Sequence, residues 1–158
     1  LQYWIGQALW VSITSCAAVI AILKNEDNSL NMFLILGSIV WIGGFTIEVL
    51  ADLQKNKFKK NQDTNSKFIS IGLWSKSRHP NYFGEISLWV GIYIMSAPSF
   101  SDIEYLSIIS PMFVYILLTR MSGINMLEKI ADERYGNLLE YQQYKKNTPV
   151  LIPYKLNK

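Results

Sequence analysis

Gly72-Leu-Trp-Ser-Lys-Ser-Arg-His-Pro-Asn-Tyr-Phe-Gly-Glu85 runs directly into the apolar segment Ile86 to Ala97. The stretch holds the chain's only histidine, His79, and sets Ser75, Lys76, Ser77, Arg78, Asn81 and Glu85 between the aromatic Trp74, Tyr82 and Phe83. A donor-rich loop at the mouth of an apolar segment suits a ligand with an anionic part and a flat part. Everything around it reads as a device for holding that loop at a membrane surface.

Outward from this stretch, long uncharged runs alternate with lysine-rich ones. Half of the 158 residues are hydrophobic and 17% are charged, below the roughly 25% usual for soluble domains. The mean hydropathy is positive, +0.15. Tyr3 to Leu23 carries no charge and is long enough for a hydrocarbon core of roughly 30 Å. Leu30 to Ala51 carries only Glu48, and Gly37, Gly43 and Gly44 offer flat surface for helix packing. Tyr82 to Ala97 is slightly short for a span. Tyr105 to Met121 closes the set, with Pro111 expected to bend it.

The tail from Ser122 is amphipathic, with Leu127, Ile130, Ala131, Tyr135 and Leu138 at helical spacing. Asn125 and Glu128 stand at capping-box spacing, and Gly136 is a stop. The expected fold is therefore all-α: one membrane domain over 1–158, a polytopic bundle of about four transmembrane helices with an amphipathic interfacial helix at the end. The chain begins at Leu1, not Met, and is expected to be the C-terminal portion of a longer one.

Basic residues set the expected orientation. The 52–81 loop, expected to open with a helical extension of the second segment, carries Lys55, Lys57, Lys59, Lys60, Lys67, Lys76 and Arg78. The tail carries Arg120, Lys129, Arg134, Lys145, Lys146, Lys155 and Lys158. The other two connections share only Lys24. Four spans put loop and tail on one side, and the excess of Lys and Arg makes it cytoplasmic. The lone Cys16 excludes an internal disulfide, and one Cys with one His gives no metal site.

Three sets of polar residues should converge at that face: Glu48 with Asp52, one helical turn apart; the 72–85 stretch; and Arg120 with the tail, including Glu128. Ionisable groups at a span edge are costly and hence functional candidates. Cations at Lys57 to Lys60 (Lys59 among them) and Arg78 could take phosphates. Asp52, Asn81 and Glu85 could take ribose or amide groups, and Trp74, Tyr82 or Phe83 a ring. No Gly-x-Gly-x-x-Gly or P-loop sequence occurs, so any nucleotide is held by membrane helices and loops. Simpler readings stand beside these. The lysines serve as a positive-inside signal, Glu85 sits on a helix dipole, Arg120 snorkels, and His79 is an interface histidine.

The 72–85 stretch resembles the signature of the steroid 5-alpha-reductase C-terminal-domain family of membrane proteins, in particular its bacterial branch. Ala51 to Lys55, Ser122 to Ile124, Leu127 to Lys129, Tyr141 to Tyr144 and Ile152-Pro153 extend the resemblance. The wider superfamily includes sterol reductases and isoprenylcysteine carboxyl methyltransferases. What this implies is a multi-pass enzyme of the bacterial inner membrane that reduces a C=C bond of a lipid-soluble, enone-like substrate with NADPH bound on the cytoplasmic side. Its partners would be the lipid bilayer and that small molecule, with no nucleic acid.

Carried over residue by residue, Asp52, Asn81 and Glu85 match cofactor-contacting positions. Arg78, His79 and Tyr82 match the shared core. Glu48 stands where the steroid reductases have asparagine. Their substrate-side Glu and Tyr have no counterpart here, so no catalytic residue is assigned. The alternatives are a methyltransferase using S-adenosylmethionine and a catalytically silent membrane module.

Overall fold

The computed structural model describes residues 2–24, 30–60, 67–121 and 123–153. Among them all regular structure is helical. The chain gathers into two compact units, one of residues up to Gly44 with Ile86–Leu117, the other of Phe45–Glu85 with the residues from Leu118 onward.

In the first unit, α1 (Gln2–Lys24) is an uncharged run until its last residue. Its hydroxyls turn back on the helix: Thr14 Oγ1 donates to the Trp10 carbonyl at 3.0 Å and Ser15 Oγ to that of Val11 at 2.6 Å. Inside lipid no water is there to satisfy them, so the helix must. α2 (Met32–Lys60) follows Asn31, whose side-chain oxygen accepts the Leu34 N–H at 2.8 Å in the manner of an N-cap. Trp4, Ile5, Leu9, Phe33, Ile39 and Ile42 are exposed. Around a soluble core such a surface would be an aggregation liability; facing acyl chains it is what a span requires. α1, α2 and the stretch Asp102–Tyr135 are long and apolar enough to cross a membrane. α3 (Pro80–Ser96) has 17 residues, a rise of roughly 25 Å, and does not join them. The shortfall anticipated for 82–97 is real.

The helical extension expected beyond Ala51 is present: α2 continues to Lys60, because Gln and Lys are good helix formers and three lysines in the last turn complement its dipole. Two other expectations are corrected. The segment 105–121 is not one helix bent at proline. Asp102–Ile108 is 3-10, α4 is Ile109–Ile116, and Leu117–Met121 is a π turn. Pro111 is the third residue of α4, directly after the 3-10 stretch, and the Ser107 carbonyl four residues back, to which proline offers no N–H, faces the Cys16 thiol at 3.9 Å. Ser101 and Glu104, not Asn125 and Glu128, form the capping box: the Glu104 carboxylate accepts the Ser101 N–H at 2.7 Å. Lys24, closing α1, pairs with that same carboxylate. Asn125 instead donates to the Arg120 carbonyl at 3.2 Å, and Gly123 is the N-cap of α5 (Ile124–Tyr135). α5 ends at Gly136 as expected, and α6 is Leu139–Asn147. The turn at 25–29, residues 61–66 of the loop, and the terminal Lys155 and Lys158 lie outside the described residues.

Packing in the first unit depends on two glycines and a hydroxyl. Ser110 Oγ, buried, donates to the Thr14 carbonyl at 2.5 Å and ties α4 to α1. α2 and α3 touch backbone to backbone at Gly37 and Gly91. A Cβ at Gly37 would lie 2.7 Å from the Gly91 carbonyl oxygen, and one at Gly91 2.7 Å from the Trp41 nitrogen. Gly43, expected to share this role, has open space around it, and Gly91 was not anticipated. Gly37→Ala and Gly91→Ala should each destabilise the protein by about 1–3 kcal/mol through overpacking. Gly43→Ala should be neutral or slightly stabilising, since alanine is the better helix former. Thermal unfolding in detergent separates the three.

Candidate functional site

The second unit builds a site around the 72–85 stretch. Gly72 has φ +61°, a backbone that L side chains rarely adopt. A Cβ there would also strike the Gln54 side chain at 2.5 Å. The glycine lets the chain turn against α2, where Gln54 Oε1 accepts the Leu73 N–H at 2.9 Å. The 3-10 turn Gly72–Ser75 then buries Trp74. Its indole N–H donates to the Ala51 carbonyl at 3.0 Å, and the Lys55 ammonium lies 5.3 Å from its ring centre. Trp74 is thus both an anchor on α2 and a wall of the cavity described below.

Arg78 and His79 follow in a bend, and Pro80 takes the first position of α3. Both side chains reach one carboxylate on α5. Arg78 Nη1 donates to Glu128 Oε2 at 2.7 Å, and His79 Nε2 lies 2.9 Å from Oε1. The Arg78 and Glu128 side chains are 11% and 18% exposed, so the pair is largely desolvated and each charge needs the other. Lys145 on α6 stands 3.5 Å from Glu128 and bonds both oxygens of Asp132, at 2.6 and 2.7 Å. Tyr141 donates to Asp132 at 3.2 Å and Tyr144 to the Trp74 carbonyl at 2.7 Å. Burial pushes the Tyr144 phenol up. Burial and the Asp132 charge push that of Tyr141 up to about 12. Both therefore remain hydrogen-bond donors at any ordinary pH.

Above this network lies a cavity of about 310 Å³, at the lower end of ligand pockets. Its floor is aromatic. Phe68 sits 6.0, 5.2 and 5.4 Å, centre to centre, from Tyr135, Tyr141 and Tyr144. Its rim is cationic, carrying Lys55, Lys59, Lys67, Arg78 and Arg134, with Glu128 as the one acid. Flat surface with excess positive charge suits an aromatic anion.

A second group lies off this cavity. Asn81 Nδ2 donates to Asp52 at 3.2 Å, and among the described residues the buried Asn81 side-chain oxygen has no hydrogen-bond partner. Glu48, Asp52 and Glu85 are close enough to repel one another, and among the described residues none of the three forms an ion pair. The stacked rings of His79 and Tyr82, 5.6 Å apart and 12° from parallel, stand between the two groups in sequence and join them.

The anticipated site residues therefore fall into two sets. Trp74, Lys59, Arg78, His79 and Glu128 surround the cavity; Glu48, Asp52, Asn81, Tyr82 and Glu85 form the amide and acid group beside it. Glu85 is the sixth residue of α3, past the first turn where a helix dipole would favour it. Arg120 joins neither set. Phe68, Tyr135 and Arg134 were not foreseen as lining, because nothing in their local sequence announces that they meet.

The fold is that of a helical membrane protein, and its second unit holds a cavity lined by cationic and aromatic residues. A family described as Protein of unknown function (DUF1295) matches residues 1–148, and the chain belongs to that family. It is also similar to 3-oxo-5-alpha-steroid 4-dehydrogenase 1 of Macaca fascicularis, 25% identical over 120 residues, which cover 76% of this chain and 40% of the relative. The chain thus spans well under half the length of that relative. The similarity supports the broad steroid-reductase superfamily and no particular branch of it. No solved structure matches the chain.

Replacing Glu128 by Gln keeps the shape and removes the charge that Arg78 and His79 share. The variant should lose about 1–3 kcal/mol of stability. Asp132→Asn, at an exposed carboxylate, should change it little. Chemical unfolding of the two variants in parallel checks the contrast.

Proposed function

We propose that this protein is a membrane-embedded, NADPH-dependent reductase that delivers hydride to a C=C bond of a lipid-soluble, enone-like substrate. The observation that carries this reading is the cationic rim over an aromatic floor. Lys59, Lys67 and Arg134 are exposed at that rim with no ion-pair partner among the described residues, while Arg78 is held by Glu128. A cluster of like charges around a concave aromatic surface is stabilised by a ligand that brings several negative charges and a flat ring.

The residues present fit the cofactor. The cavity has room for one end of a dinucleotide, with phosphates at the cationic rim and a base against Phe68 and Tyr144. The group of Asp52, Asn81 and Glu85 offers acceptors and an amide to ribose hydroxyls and a carboxamide, and the buried Asn81 side-chain oxygen awaits such a donor. Carboxylates on one side and cations on the other also fix polarity, since phosphates are repelled from Glu48, Asp52 and Glu85. The nicotinamide, when bound, supplies the hydride; this chain binds, orients and excludes water. The same charges disfavour S-adenosylmethionine at the cavity, because its sulfonium is positive and it carries no phosphate.

The basic 52–81 loop and tail face the cytoplasm in this reading, where the cofactor is, and the apolar spans admit substrate from the bilayer. The bacterial inner membrane is the host membrane that fits the resemblance of the 72–85 stretch.

NADPH should raise the unfolding temperature of the detergent-solubilised protein; a ligand at a hundred times its Kd adds about 2.7 kcal/mol to stability. Lys59→Ala with Arg134→Ala should weaken NADPH binding about tenfold, or about 1.4 kcal/mol. Stabilisation by S-adenosylmethionine and not by NADPH would move the protein to methyl transfer. Stabilisation by neither would remove both enzymatic readings.

A further inference from the structure

The backbone that carries Arg78 and His79 is held by a segment far away in sequence. The Arg78 N–H donates to the Pro149 carbonyl at 2.9 Å and the His79 N–H to that of Val150 at 3.1 Å. Ser77, fully buried, donates its hydroxyl to the Leu151 carbonyl at 2.7 Å, and the same oxygen accepts the His79 N–H at 3.2 Å. Three successive residues are thus laced to three successive carbonyls without forming a regular strand. The lacing starts where α6 stops: the Thr148 N–H closes on Tyr144, and Thr148 is itself buried.

Consecutive side chains on an extended backbone point to opposite sides. Arg78 and His79 do not; a bend turns both onto the two oxygens of Glu128. In a bend the backbone N–H groups have no helical or sheet partner of their own, and buried donors must find one. The 149–151 carbonyls supply it. The next residue, Pro80, has no N–H to satisfy. The bend therefore holds its shape only while the tail lies in register.

We propose that Pro149–Leu151 is a positioning strap and Ser77 a positioning residue: they act through the backbone to aim Arg78 and His79 at Glu128 and so set the wall of the cavity. Ser77 does this with one hydroxyl that donates to the strap and accepts from His79, a junction that neither alanine nor a larger apolar residue reproduces. The effect on ligand binding rests on the cavity being the cofactor site proposed above; the effect on His79 does not.

The test uses the full chain with ring-15N histidine labelling. His79 is the only histidine, so its ring signals need no assignment. In the wild type, a carboxylate facing Nε2 fixes the proton there and gives one tautomer pattern. Ser77→Ala should convert this into an averaged pattern and weaken NADPH binding about tenfold, the equivalent of one lost buried hydrogen bond. Ser77→Thr, which keeps the hydroxyl, should retain the wild-type pattern.

A single glycine inserted between Thr148 and Pro149 leaves Ser77 intact and moves the strap out of register. It should disturb His79 in the same way, and it serves as the test if Ser77→Ala does not fold. Unaltered His79 signals in Ser77→Ala and in the insertion variant would overturn the proposal, even if both melt at lower temperature. Altered His79 signals in a protein whose wild type binds no NADPH would uphold the strap and overturn the cofactor assignment alone.

Discussion

One carboxylate organises the second unit. Glu128 is reached by Arg78 and His79 from the 72–85 stretch and approached by Lys145 from α6. Such convergence compensates a buried charge only when geometry is good on every side, and that requirement propagates outward. Arg78 and His79 must share a bend, the bend must be tied to 149–151, and α6 must be placed to deliver both Lys145 and the tail. Trp74, accepting from Tyr144 and donating to Ala51, locks the same assembly onto α2. The cavity with its aromatic floor is the space these constraints leave open.

The two units solve different physical problems. In the first, apolar surface faces outward and polar groups turn inward: the Ser110 hydroxyl donates to the Thr14 carbonyl, the Thr14 hydroxyl bonds back to its own helix, and Gly37 and Gly91 bring two backbones together. Without water between helices, contact of this kind is what holds spans together. In the second, charges are gathered and paired, and the cations left over are exposed around the cavity. Among the described residues Lys59, Lys67 and Arg134 form no ion pair, and an anionic ligand, as proposed above, would relieve their repulsion.

Much of this could be read in the chain itself. Uncharged runs of spanning length gave α1 and α2, and the mixture of polar and aromatic residues in 72–85 pointed to the stretch that carries Arg78 and His79 to Glu128. What could not be read depends on distance along the chain. Glu128 looked like the far end of a capping box because Asn125 stands three residues before it. Its partners lie 50 and 49 residues away, and a long-range ion pair outweighs a local cap. Phe68 and Tyr135 lie on other segments than Tyr141 and Tyr144, which share α6, so helical spacing within α6 does not reveal the contact with Phe68. That Lys55 and Lys59 continue α2 was expected, but not that Lys55 lies over Trp74 or that both line the cavity. Pro111 was read as a bend, and it stands two residues past the change from 3-10 to α-helix. The Ser101–Glu104 capping box is legible by its Ser-x-x-Glu spacing.

The account stands or falls on whether Arg78 and Glu128 act as one unit. A double-mutant cycle with Arg78→Gln and Glu128→Gln, singly and together, measures this through unfolding free energy in detergent. Because removing either partner strands the other, the double variant should be much less destabilised than the sum of the singles, with a coupling energy above about 1 kcal/mol. Additivity within about 0.5 kcal/mol would mean that the two groups are independent, and that the cavity wall is not built around this pair.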